Sequence, residues 1–176
     1  MLAPKSKADL AFTMHILSWL SVNGTAAIVE FPGVLYRGGA ERKIRKYLID
    51  NNYVDTVIQL PPDLFFGTTI ATCIIVLKKS KPENTVLFID ASGEFSRVGN
   101  KNKLLQQNQD HILETFTARR DVDHVATLVT NEDLAANDYN ISVSSYVEKE
   151  DTREAVDIQA LNAEIARIVA RQAELR

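Results

Sequence analysis

The sequence predicts an α/β chain: the back half of a doubly wound sheet that ends in an antiparallel strand pair, followed by a helical tail. Three observations predict it. Near-continuous apolar runs, which suit strands buried on both faces, alternate with stretches of helical periodicity. Two of those runs, Val54 to Leu60 and Ala71 to Leu77, are joined without a helix, and a parallel crossover needs about a dozen residues or more. No Gly-x-Gly-x-x-Gly element opens a strand–helix turn, and so no acidic residue waits at the end of a strand following one for a ribose. The front half of such a sheet is therefore missing from these residues, as in a fragment that begins inside a fold.

Ser6 or Asp9 is placed to cap a first helix. Its apolar positions Leu10, Met14, Leu17 and Leu20, with Phe12, Ile16 and Trp19 beside them, recur at helical spacing. Val22 to Gly24 should stop it, with Gly24 as a left-handed cap. "TAAIVEF" then reads as a buried strand ending at Phe31, broken by Pro32. A second helix, Ala40 to about Asn51, puts Ile44, Tyr47 and Leu48 on one face and Arg42, Lys43, Arg45 and Lys46 on the rest. "VDTVIQL", "ATCIIVL" and, after the polar turn "KSKPEN", "TVLFID" supply three more strands. The expectation is a largely parallel sheet covered on both faces, with the helix-free connection joining antiparallel neighbours.

Beyond Asp90, "SGEFSRVGNKNKLLQQNQ" reads as an exposed loop and "DHILETFTAR" as a helix with Ile112, Leu113 and Phe116 apolar. "HVATLVT" reads as a short strand, and "NEDLAANDYNISVSSYV" as mostly irregular. After Asp157, a plausible N-cap, the residues Ile158, Leu161, Ile165, Ile168, Gln172 and Leu175 alternate at three and four. That is a coiled-coil seam with one polar interruption. The chain divides into 1–92, a sheet-and-helix unit, 93–150, a mixed extension, and 151–176, the tail helix.

At 176 residues and 45% hydrophobic, the chain can bury one real core. A net charge of -3 argues against independent nucleic-acid binding, though not against a local basic patch. The lone Cys73 rules out a disulfide framework. His15, His111 and His124 lack carboxylate or Cys partners at ligand spacing, so no metal site is expected. No run approaches the roughly 18 apolar residues of a membrane span, and the N-terminus lacks a signal-peptide pattern. The expected setting is the cytoplasm.

The stretch Ala8 to Lys79, from "ADLAFTMHILSWL" to "TTIATCIIVLKK", closely resembles the methyltransferase (modification) subunit of type I restriction-modification systems. "NDYNISVSSYV" resembles the segment after the catalytic domain of that family. The resemblance covers essentially the whole chain, and the run Arg37 to Glu41 with Asp63 to Thr69 is specific to it. It implies an S-adenosylmethionine-dependent methyltransferase fold and methyl transfer from S-adenosylmethionine to the exocyclic amine of adenine in DNA. It also implies assembly with a DNA-reading specificity subunit and, for restriction, a motor-nuclease subunit. Two family motifs, the glycine cofactor turn and the Asn-Pro-Pro-Phe/Tyr tetrapeptide, do not occur here. Pro61-Pro62 follows Leu60 and lacks the Asn. No catalytic residue is therefore assigned, and these residues alone are expected to be inactive. The alternative is an interaction module that docks through its last helix without catalysis.

An adenine methylase has to take its base out of the duplex and needs an aromatic face to hold it. The resemblance implies Phe65 for that face, with Phe66 as second choice, Gly67 allowing close approach and Thr68 and Thr69 offering hydroxyls. The competing reading has one Phe plugging the core under the strand pair and the other covering the second helix. Phe12 is implied at the border of the cofactor's adenine, against a core Phe on an amphipathic helix. Asp9 is an N-cap or a contact near the site. Arg37, Gly38, Gly39 and Arg42, with Lys46, suit a DNA phosphate at a helix N-terminus, or simply a turn and a solvated charged face. For the tail, the resemblance implies that Ile158, Leu161, Ile165, Ile168 and Leu175 dock on the specificity subunit's helical spacer. The competing reading folds them back on the chain's own domain. The strand Thr25 to Phe31 is expected to lack a neighbour on one edge, which invites self-association.

Overall fold

The computed structural model describes residues 3–4, 6–150 and 158–174. In chain order the elements are α1 (Asp9–Trp19), β1 (Thr25–Glu30), a 3-10 turn (Pro32–Leu35), α2 (Gly39–Asp50), β2 (Val54–Gln59), β3 (Cys73–Lys78), β4 (Thr85–Asp90), β5 (Ser96–Val98), β6 (Lys101–Lys103), α3 (Gln106–Ala118), β7 (Ala126–Thr130), α4 (Asn131–Ala136), a second 3-10 turn (Val143–Ser145) and α5 (Ile158–Glu174).

Five strands form one mixed sheet in the order β1-β3-β2-β4-β7, and β5 pairs with β6 in a small antiparallel ribbon. The helix-free connection does join antiparallel neighbours, because β3 runs opposite to β2. β3 also runs opposite to β1, and β7 opposite to β4, so among these pairings only β2 with β4 is parallel. The expectation of a largely parallel sheet is corrected accordingly. β1, β2 and β4 do share one direction, but β3 inserts between the first two. An apolar run reports burial on both faces and says nothing of strand direction.

One face is covered by α1 and α2, where Leu10, Leu17, Ile44, Leu48 and Ile49 pack with Val57, Ile75, Leu77 and Phe88. The other carries α3, whose Ile112 and Phe116 lie over Ile58, Leu60, Leu87 and Ile89. β1 pairs on one side with β3 and alternates exposed and half-buried residues until the buried Glu30.

Several local expectations are revised. Ala8, not Ser6 or Asp9, is the N-cap of α1, and Asp9 sits in the first turn, where its charge faces the helix dipole. α1 ends at Leu20 in extended backbone, so Gly24 makes no left-handed cap. Lys79 Nζ donates to the Leu20 carbonyl instead. The expected loop after Asp90 contains the β5–β6 ribbon. α3 begins ahead of the expected Asp110, with Asn108 Oδ1 accepting the Leu105 N–H at 3.0 Å.

The stretch read as mostly irregular opens with α4, and the rest of it, irregular but for the second 3-10 turn, is anchored. Arg45, expected on a solvated face, is 1% exposed. Its Nε donates to the Tyr139 carbonyl at 2.8 Å and its Nη1 to the Val34 carbonyl at 2.9 Å. Ile141 N donates to the Leu35 carbonyl, and the Tyr146 ring lies 4.5 Å from that of Phe88. Asp138 and Tyr139 take positive φ, 54° and 57°, to make this turn. The stretch Asp138 to Tyr146 therefore ties the end of the extension to α2 and β4.

Candidate functional site

A cleft of about 390 Å³ opens beyond the C-terminal end of β1, lined by Asp9, Glu30, Phe31, Phe65, Phe66 and Thr72, with Val29 and Thr68. In open α/β sheets ligands gather outside the carboxyl ends of the strands, and this cleft lies there. Asp9 comes from the start of α1, Glu30 and Phe31 from the end of β1, and the phenyl rings from the β2–β3 loop. Positive φ at Asp63 (58°) and Gly67 (79°) turns that loop. The ribbon braces it: Lys101 Nζ donates to the Phe65 and Thr68 carbonyls, and Asn102 Nδ2 to that of Pro62. Asp63 pairs with Arg97 and Lys101.

Phe65 is 42% and Phe66 101% exposed, so neither plugs the core under the strand pair. Both line the cleft. Its deeper wall is polar. Glu30 is 7% exposed and accepts from Thr13 Oγ1 at 2.9 Å. Burial raises the Glu30 carboxyl above the usual range, the Thr13 bond opposes this, and the charge of Asp9 adds to it. Cys73 Sγ donates to the Glu30 carbonyl at 3.4 Å, and burial pushes its thiol up to about 12. That thiol is protonated at neutral pH and unsuited to nucleophilic work.

The other sequence-derived candidates do not line this cleft. Phe12 stands exposed on α1 outside the cleft lining, so it is not the core residue of the competing reading. Gly39 takes φ 68°, which favours glycine, and a Cβ at Gly38 or Gly39 would meet open space. The guanidinium of Arg37 lies against Gly33, leaving no room for a side chain there, and is 3.5 Å from Glu41. Arg42 does not join it. Its Nε donates to Asp138 at 2.6 Å and its guanidinium lies 5.5 Å from the Tyr139 ring, shared with Lys46. Arg37 and Arg42 are thus drawn to different carboxylates rather than gathered into one open cradle.

On α5, Leu161, Ile165 and Ile168 are all exposed. Ile158 opens that helix, while Leu175 and Asp157 lie outside the described residues. His111 has a carboxylate partner that spacing did not reveal, Glu94 at 2.6 Å. Among the described residues no group of three or more His, Cys, Asp and Glu is placed to hold a metal ion. Among them, too, no helix is long and apolar enough to cross a membrane. Sequence reasoning missed Glu30 and Thr72. The available signal was a carboxylate at the end of an apolar strand.

Residues 1–155 match the family model described as N-6 DNA Methylase. The chain belongs to that family. It is 47% identical over 99% of its length to the methylase subunit of the type I restriction enzyme MpnII of Mycoplasma pneumoniae, covering 32% of that protein. It is 33% identical over 98% of its length to the corresponding MjaVII subunit of Methanocaldococcus jannaschii, covering 30% of it. Among solved structures, the type I methyltransferase subunit of Streptococcus thermophilus superposes with a TM-score of 0.82 at 45% identity, over 84% of this chain and 32% of that one. The chain thus spans about a third of the curated relatives it matches. In this N-6 DNA methylase chain, the family match takes in the sheet, the cleft and the Asp138 to Tyr146 anchor, and stops short of α5.

Proposed function

We propose that this chain carries the target-base side of a type I modification subunit, a protein that transfers a methyl group from S-adenosylmethionine to adenine in DNA. The supporting observation is the cleft itself: two solvent-facing phenyl rings on a braced loop, outside the carboxyl end of the sheet. Exposed aromatics cost solubility, and base stacking is what returns it. Phe65, partly sheltered, is the stacking face, with Phe66 at the rim. In the intact subunit, Phe65→Ala should weaken methylation by about 1–3 kcal/mol, the range of base–aromatic stacking, without lowering the melting temperature. Equal loss of stability and activity would make Phe65 a structural residue and sink the assignment.

On this reading the residues here supply only part of a cofactor site. Phe12 and Asp9 are the candidate contacts to S-adenosylmethionine, and neither the glycine turn nor the Asn-Pro-Pro-Phe motif is present. The chain alone is expected to give no heat of binding with the cofactor in calorimetry. Micromolar binding would overturn this. Arg37, with the open backbone of Gly38 and Gly39, is the remaining candidate for a DNA phosphate.

The exposed stripe of α5 supports docking on the helices of a specificity subunit, with DNA and a motor-nuclease subunit as further partners of the whole assembly. Ile165→Asp with Ile168→Asp should abolish co-purification with that subunit while the sheet stays folded. Wild-type yield of the complex would refute the docking. The same stripe favours the second reading, an interaction module without catalysis. On this reading the edge of β1 that is unpaired among the described residues favours self-association of the isolated chain. A lone buried thiol fits the reducing cytoplasm.

A further inference from the structure

The stacking assignment leaves the polar wall of the cleft without a role. Register pairs Glu30 with Cys73 across β1 and β3, which brings Thr72 next to the end of β1. Thr72 is 5% exposed and lines the cleft, yet its hydroxyl has no hydrogen-bond partner among the described residues. A buried hydroxyl left unpaired costs free energy, and a ligand that pairs it recovers that cost. Asn131 Oδ1 is likewise unpaired, but the Asn131 amide nitrogen serves Ile49, Asn52 and Asn84 and pins α4, which is a structural duty.

Beside Thr72, Glu30 offers a carboxyl with Thr13 on one oxygen, and Asp9 adds a second carboxyl to the same cleft. Walls of phenyl and a floor of carboxyl and free hydroxyl select a planar ring that brings an N–H donor next to an acceptor. We propose that Glu30 and Thr72 determine specificity by holding the amino edge of a 6-aminopurine: Glu30 accepts from the exocyclic amine and the Thr72 hydroxyl donates to the neighbouring ring nitrogen. A 6-oxopurine would turn a carbonyl oxygen toward the Glu30 carboxyl and is rejected. One amine hydrogen stays free for groups outside this chain. This inference rests on the reading of the cleft as the base pocket.

The test titrates the 176-residue chain with short labelled oligothymidylates carrying one central adenine, purine or hypoxanthine, read by fluorescence anisotropy. The wild-type chain should prefer adenine over both analogues by about fivefold or more, since a site built to hydrogen-bond an amine rejects a ligand lacking it. Glu30→Leu should erase the preference for adenine over purine. Thr72→Val should weaken adenine and purine alike at an unchanged or higher melting temperature, and Phe65→Ala should weaken all three oligonucleotides alike. The comparison of ligands needs no variant, so a failure of folding cannot blur it. Equal wild-type affinity for the three, with Phe65→Ala still weakening them, keeps the base pocket and rejects its polar floor. A preference for adenine over purine that survives in Glu30→Leu, or adenine binding that Thr72→Val leaves unchanged, also rejects it. No measurable binding, or none that depends on Phe65, removes the base pocket and this inference together.

Discussion

Two buried polar junctions flank the first helical layer, and they are built oppositely. At one, the Arg45 guanidinium is 1% exposed and donates to two carbonyls, one from the 3-10 turn after β1 and one from Tyr139. Burial pulls its pKa down to about 10, with Glu41 the first of the charges that oppose this, so the group stays charged at neutral pH. At the other, among the described residues, Thr72 is 5% exposed with no partner for its hydroxyl, and Glu30 is 7% exposed with Thr13 as its side-chain donor. A junction whose polar groups are all paired holds the chain together. One that keeps polar groups unpaired is open to something that arrives later.

The sharpest way to break the contrast is at the paired junction. Arg45→Met keeps much of the apolar stem but leaves the Val34 and Tyr139 carbonyls without their donor. Hydrogen bonds to charged groups contribute about 1.5–3 kcal/mol each, and the losses share one side chain, so a loss of about 2–4 kcal/mol is expected in urea unfolding. The Asp138 to Tyr146 segment should loosen first, seen as faster amide exchange at Ile141, whose N–H donates to Leu35. A change under about 1 kcal/mol, the usual range for surface positions, would mean that Arg45 is not a structural pin, and the comparison would lose one side.

What was legible in the sequence follows the same division. The four strands between Thr25 and Asp90 were readable because burial on both faces writes itself into continuous apolar runs. The antiparallel pairing of β2 with β3 was readable from the short connection. Arg45 was not, because its acceptors come from residues 11 and 94 positions away. A helical pattern that counts charges as solvated cannot see them. The β5–β6 ribbon was hidden for a related reason: it is held by Arg97, Lys101 and Asn102 reaching the β2–β3 loop, with no apolar alternation to report it. In the cleft, Phe65 and Phe66 were visible as adjacent aromatics on a turn. Glu30 and Thr72 become neighbours only through the β1–β3 register, which no local pattern encodes.

The smallest expected effect sharpens the unpaired side. Burial raises the Glu30 carboxyl above its ordinary range, with the Thr13 hydrogen bond opposing and Asp9 adding. The folded chain therefore holds a proton at Glu30 more tightly than the unfolded chain does. Stability from that proton is full below the unfolded pKa and is lost as pH rises through the folded one. Glu30→Gln has no proton to lose. It keeps an acceptor for Thr13 but buries an amide, so its stability relative to wild type at any single pH mixes two effects. The dependence on pH separates them, since the carboxylates remote from Glu30 titrate in both proteins and cancel in the difference, leaving Glu30 with its neighbour Asp9. The melting temperature of Glu30→Gln minus that of wild type should climb between acid and neutral pH. A flat difference would mean that Glu30 titrates as an ordinary exposed carboxylate. A falling one would mean that it is held charged by a partner, and the cleft floor would then be a paired junction like that of Arg45.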